Sequence, residues 1–279
     1  MPPKTPHLTR LLASLATVAL CIAMLPTAPA SAEDAGSRYL TALRKFTQPD
    51  RKPVSVGVPS GFGASGGRAF GSVAYTSQDR NTGVQDDDDG SIAIGLGLGD
   101  PVSGVGVEVV VGITSVSTSF WGDGTFGDEG NVGLKLHRAV SGLPGSTSAS
   151  LSAGVGNLAG WGSTRELPRN YYAAYSQVSD VTIDGQVYPV NATVGFGSAV
   201  SGVDRDPGAF ASVGVGVTGQ LSMGVGWLGD ELQLGAVYFP KRWGAASMSL
   251  TYADATHRHS ESGRVIVALS LALEPWRKR

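Results

Sequence analysis

The side chains that could do chemistry are few, and the densest group is acidic. Asp86, Asp87, Asp88 and Asp89 run together before Gly90, and Asp123, Asp128 and Glu129 fall in a second acidic, glycine-rich stretch. Hard cations such as Ca²⁺ take several oxygen ligands. Two such loops brought to one end of a fold would make a cation site or an electronegative mouth. An unbroken run of aspartates lacks the alternating ligand spacing of a calcium loop, and a solvated loop tip is the commoner outcome. His257 and His259 form an i, i+2 imidazole pair in another loop.

Nothing points to catalysis. No G-x-S-x-G run opens a helix as a nucleophile elbow does, and there is no H-E-x-x-H helix. Its glycine pairs do not open a helix, as a phosphate-binding turn must. No enzymatic activity and no resident cofactor other than a loop-bound Ca²⁺ is expected. The net charge of −2 excludes the strongly basic surface of a nucleic-acid binder.

A second set of polar residues is placed by strand periodicity. Ile92, Ile94, Leu96 and Leu98 alternate with Ala93, Gly95, Gly97 and Gly99, and Val105 to Ile113 alternate in the same way. The pattern returns at Val213, Val215 and Val217, at Leu221, Met223 and Val225, and at Val265 to Leu273. Period two puts each apolar set on one face of a strand. The opposite face carries Gly, Ala and Ser, with Glu108, Lys135, His137, Glu231 and Gln233 as its sparse polar members.

Alternation alone does not separate a membrane barrel from a soluble sandwich, but the second face does. A face that meets water normally carries Lys, Glu, Arg and Thr, whereas glycine weakens a strand and suits a crowded interior. Charged residues make up only 16% of the chain, against about 25% in ordinary soluble domains. A barrel in lipid turns its aliphatic residues outward and its small polar residues into the lumen. The five polar residues above are therefore the candidate lumen-lining residues.

Twelve strands are expected, at 69–77, 91–98, 104–114, 131–140, 147–156, 171–178, 187–199, 209–217, 220–228, 231–239, 244–253 and 264–273. The sixth alternates poorly, and 54–58 reads either as a thirteenth strand or as part of a plug. Connections alternate long and short, broken only at Gly229-Asp230, as in an up-and-down meander whose two ends differ. Tyr75, Trp121, Trp161, Trp227, Tyr238, Phe239, Trp243, Tyr252 and Trp276 lie near strand ends, where aromatic girdles sit.

Residues 1–32 read as a cleavable secretory signal peptide. Lys4 and Arg10 precede an apolar run from Leu11 to Leu25, and Ala30-Ser31-Ala32 supplies the cleavage pattern. That run is shorter than the ~20 residues a spanning helix needs. Cys21, the only cysteine, lies inside it, so the mature chain would have none. Residues 33–68 are expected to form an N-terminal periplasmic or plug segment, with a short helix at 37–48, and 69–279 the barrel.

With these features the chain resembles small bacterial outer-membrane β-barrels of the porin-like class. The resemblance rests on pattern over most of the mature chain. Barrels of that class typically end on an aromatic residue, whereas here Trp276 is followed by Arg277-Lys278-Arg279. It implies an all-β, antiparallel up-and-down barrel in contact with outer-membrane lipid, serving as a narrow passive channel for small solutes or as a structural surface protein. The alternative is a secreted soluble β-sandwich acting as a binding or adhesion module.

Overall fold

The computed structural model describes residues 51–77, 89–114, 126–200, 205–258 and 263–273. Leader residues 1–32, the expected helix at 37–48, Asp86–Asp88, Trp121, Asp123, His259 and Trp276 lie outside them.

Twelve strands follow one another in chain order: β1 (Ala69–Thr76), β2 (Asp89–Gly99), β3 (Gly106–Ile113), β4 (Gly130–Ala139), β5 (Ser146–Trp161) and β6 (Asn170–Ile183) come first. The second half supplies β7 (Gln186–Gly197), β8 (Gly208–Gly216), β9 (Leu221–Leu228), β10 (Glu231–Tyr238), β11 (Ala246–Ala253) and β12 (Arg264–Leu273). Each pairs antiparallel with its neighbour, and β1 closes on β12 from Ala69↔Leu273 to Thr76↔Ile266. The result is one closed sheet rather than the two packed sheets of a sandwich. Closure leaves no row of unpaired edge groups.

The sixth and seventh strands are longer than their alternation suggests. Pairing runs out to Ile183↔Gln186, around a two-residue turn at Asp184 (φ 48°) and Gly185 (φ 74°). Positive φ at both positions is the geometry of a type I′ hairpin. What reads as a medium-length loop at 179–186 is therefore mostly ladder.

The exposure pattern is inverted relative to a soluble domain. Ile94 is 63% exposed, Val194 55% and Leu250 52%, while Glu231 and Ser222 are fully buried. Outward apolar residues continue around the circumference, through Val73, Val111, Val213, Met223, Leu234 and Leu269. An apolar band this extensive far exceeds the few hundred Å² that a soluble monomer ordinarily shows to water. Tyr75, Tyr171, Phe196 and Trp227 are exposed towards the end of the barrel that carries the long loops. Tyr238 and Trp243 are exposed at the end that carries the short turns.

Residues 54–58 do not add a thirteenth strand. Instead the stretch 51–68 lies inside the barrel. It starts at the short-turn end, where the Arg51 guanidinium donates to the Val187 carbonyl (3.1 Å) and to Gln186 Oε1 (3.1 Å) and covers the Tyr188 ring. It returns to that end where Gly66 N–H donates to Gly99 and Gly67 N–H to Gly97, just before β1.

Candidate functional site

Inside a closed barrel a chain segment with no partner strand must find donors and acceptors on the wall, because a buried unpaired backbone group is costly. The inward hydroxyls of β5 to β9 supply them. Val56 N–H donates to Ser212 Oγ (3.3 Å), Gly61 N–H to Ser176 Oγ (2.8 Å), and Ser152 Oγ to the Ser60 carbonyl (3.1 Å). The Ser222 hydroxyl donates to the Lys52 carbonyl. Ser176 and Thr193 share a hydrogen bond (2.6 Å), as do Ser55 and Ser212 (2.9 Å). These serines and threonines are too common in the sequence to single out. Their signal is their place on the small-residue face of successive strands.

The inward glycines make room for the same segment. A β-carbon on Gly97 would overlap the backbone of Ala64 and Ser65. One on Gly214 would strike the Val54 carbonyl, and one on Gly226 the Val56 carbonyl. The glycine-rich inner face is thus a groove in which residues 51–68 lie.

Three of the sequence candidates form one cluster. Glu108 on β3 and Lys135 on β4 are directly opposite in register. Lys135 Nζ lies 2.8 Å from Glu108 Oε1 and donates to the Phe62 carbonyl at 3.0 Å. Ala64 N–H donates to Glu108 Oε2 at 2.7 Å. His137, one alternation further along β4, is buried against Gly63 and Gly106, and neither ring nitrogen meets a protein partner.

The other two candidates form a second cluster with a residue that sequence reading missed. Arg264, the first residue of β12, places Nη2 2.9 Å from both carboxylate oxygens of the buried Glu231. Gln233 Nε2 donates to Glu231 Oε1 at 3.0 Å. Arg264 could have been found as the one cation on the inward, small-residue register of β12.

The acidic loop candidates are not brought together among the described residues. Asp89 enters only as the first residue of β2, paired with Thr76. The Glu129 carboxylate accepts from Ser163 N–H at 3.4 Å, and Trp161 Nε1 donates to the nearby Gly127 carbonyl. Among the described residues no group of three or more His, Cys, Asp or Glu side chains is placed to hold a metal ion.

Asp100, in the short turn after β2, accepts from Val102 N–H (2.9 Å) and Ser103 Oγ (2.7 Å). These bonds hold its carboxyl below the ordinary carboxylate range, the Ser103 hydroxyl contributing most.

The barrel is similar to an outer membrane channel from Pseudomonas putida F1, at 11% identity and a TM-score of 0.47, over 79% of this chain and 100% of that one. It is also similar to the outer membrane protein Omp33 of Acinetobacter baumannii, at 11% identity and a TM-score of 0.40, over 75% and 98% of the two chains. No family model and no curated protein matches its sequence.

Proposed function

We propose that this protein is an integral outer-membrane barrel acting as a narrow passive channel, its lumen reduced by its own residues 51–68. The observation that carries the reading is the inverted exposure: aliphatic residues exposed outside on β1–β3 and β6–β12, charged pairs and hydroxyls inside. In lipid the outer band is solvated by acyl chains, and closure of β1 on β12 satisfies the backbone groups that lipid cannot. The leader at 1–32 supplies export. The short turns then face the periplasm and the long loops the outside.

In this reading Glu108 and Lys135 pin the internal segment, while Glu231, Gln233 and Arg264 brace the far side of the lumen.

Planar-bilayer recording of the refolded barrel tests the function. Discrete steps of small conductance are expected, with larger steps once residues 51–68 are deleted. A folded barrel that stays silent while the deletion variant conducts would favour a closed structural barrel, a reading supported by the tight seat of the segment on Gly97, Gly214 and Gly226.

A further inference from the structure

The lumen is filled unevenly. On each of β3 to β10 one or more inward residues are fully or nearly buried by the internal segment or by one another, as at Glu108, His137, Ser152, Ser176, Thr193, Ser212, Ser222 and Gln233. On β11, β12 and β1 the inward residues Ser247, Ser249, Thr251, Ala268, Ser270 and Ser72 are only half-buried. Residues 51–68 therefore lie against one side of the barrel and leave the other side less covered.

A cavity of about 310 Å³ opens at the short-turn end of that second side, lined by Lys52, Phe70, Ser247, Ser270 and Ala272 among others. Gly57 of the internal segment is itself exposed, although Gln233 stands next to it on the wall. Water therefore reaches the segment on its free flank. Apart from the Phe70 ring, Ile266 and Arg264, the described inward side chains of β11, β12 and β1 carry hydroxyls and methyl groups, and none carries a carboxylate.

The charge beside the cavity is cationic, whereas at the long-loop end Arg264 is ion-paired with Glu231 and Asp254 is buried just past β11. Lys52 is exposed beside the cavity, its ammonium 5.1 Å from the centre of the Phe239 ring. At the long-loop end Arg264 stands in front of Glu231, whose carboxylate has no solvent exposure. A passage lined by neutral donors, with an exposed lysine at its short-turn entrance, lowers the energy of an anion relative to a cation of the same size.

We propose that solute passes between residues 51–68 and the β11–β12–β1 wall, in a hydroxyl-lined lane that favours small anions over cations. The proposal rests on the channel reading and adds the route and the class of solute. Ala268 and Ser249 mark the middle of the lane, paired with each other across β11 and β12.

The test is the reversal potential of the full mature barrel across a KCl gradient, recorded beside Ala268→Trp, Ser249→Trp and Lys52→Glu. Chloride should permeate about threefold better than potassium. Either tryptophan should cut the conductance by about fivefold or more while heat-modifiable gel mobility persists, and two variants guard against one misfolding. Lys52→Glu should lower or reverse the anion preference. Cation preference in the unaltered barrel, or full conductance in both tryptophan variants, overturns the lane. Silence of the correctly folded barrel removes the channel reading itself, and the lane with it.

Discussion

Glu108 and Lys135 face each other across the β3–β4 ladder with their charges 2.8 Å apart, and each also holds a backbone group of the segment between them and the lumen axis. The pair links wall to interior, so its worth lies in what it positions. Both side chains are nearly buried. Removing one partner leaves the other charge unpaired as well as freeing Ala64 N–H or the Phe62 carbonyl.

Glu108→Ala is therefore expected to destabilise the barrel by about 3–5 kcal/mol, and Glu108→Ala with Lys135→Ala by less than the sum of the two single changes. The temperature at which the folded gel band converts to the unfolded one measures this. Strict additivity would mean that the ion pair does not couple the two strands.

The glycine groove predicts a sharp positional contrast. At Gly97 a β-carbon meets the Ala64–Ser65 backbone, whereas at Gly133 the nearest atom would be the Val155 carbonyl oxygen at an ordinary 3.6 Å. Gly97→Ala should displace the internal segment, cost about 1–3 kcal/mol and raise the conductance. Gly133→Ala should do neither. The same recordings and gel transitions check both variants.

Phe210 is buried and sits directly opposite Gly195 in the β7–β8 register, its ring covering the place a side chain would take. Phe70 covers Gly95 in the same way between β1 and β2. An aromatic ring over a cross-strand glycine fixes register and fills the gap left by the missing side chain. Phe210→Ala should cost about 3–5 kcal/mol in equilibrium unfolding from lipid vesicles.

The two faces should respond in opposite ways to charge. Val213, half-exposed on the outside of β8, should lose about 2–4 kcal/mol on replacement by arginine if it lies near the bilayer midplane. Ser72→Lys, on the less covered inner side of β1, should fold almost normally. Vesicle-folding titrations distinguish the pair, and equal tolerance at both positions would contradict a lipid-facing exterior.

Acid should loosen the turn at Asp100. Its carboxyl titrates below the ordinary carboxylate range, so the two hydrogen bonds it accepts add stability above that range. The contribution is lost as pH falls through the depressed value of the folded state. The protection factor of the Val102 amide should fall with acidification in the unaltered chain and be low at all pH values in Asp100→Asn.

The wall was legible in the sequence and the interior was not, for a physical reason. Wall strands carry a period of two, so Leu96, Val109 and Leu269 could be assigned a face without coordinates. Residues 51–68 belong to no ladder: their groups are satisfied by Ser152, Ser176 and Ser212 from distant strands, so no local period betrays them. Placing Glu108, Lys135 and His137 on one face followed from alternation, but the contacts with Phe62 and Ala64 depend on barrel closure. Arg264 was missed because its partner Glu231 lies 33 residues away.

The most direct test of the account is where the protein goes and how it runs on a gel. Expressed with its leader in a host with two membranes, it should be recovered from the outer-membrane fraction only in detergent. Unheated samples should run at a different mobility from boiled ones, as an intact closed barrel resists denaturant. A freely soluble monomer in the periplasm or medium, with one mobility before and after heating, would contradict it.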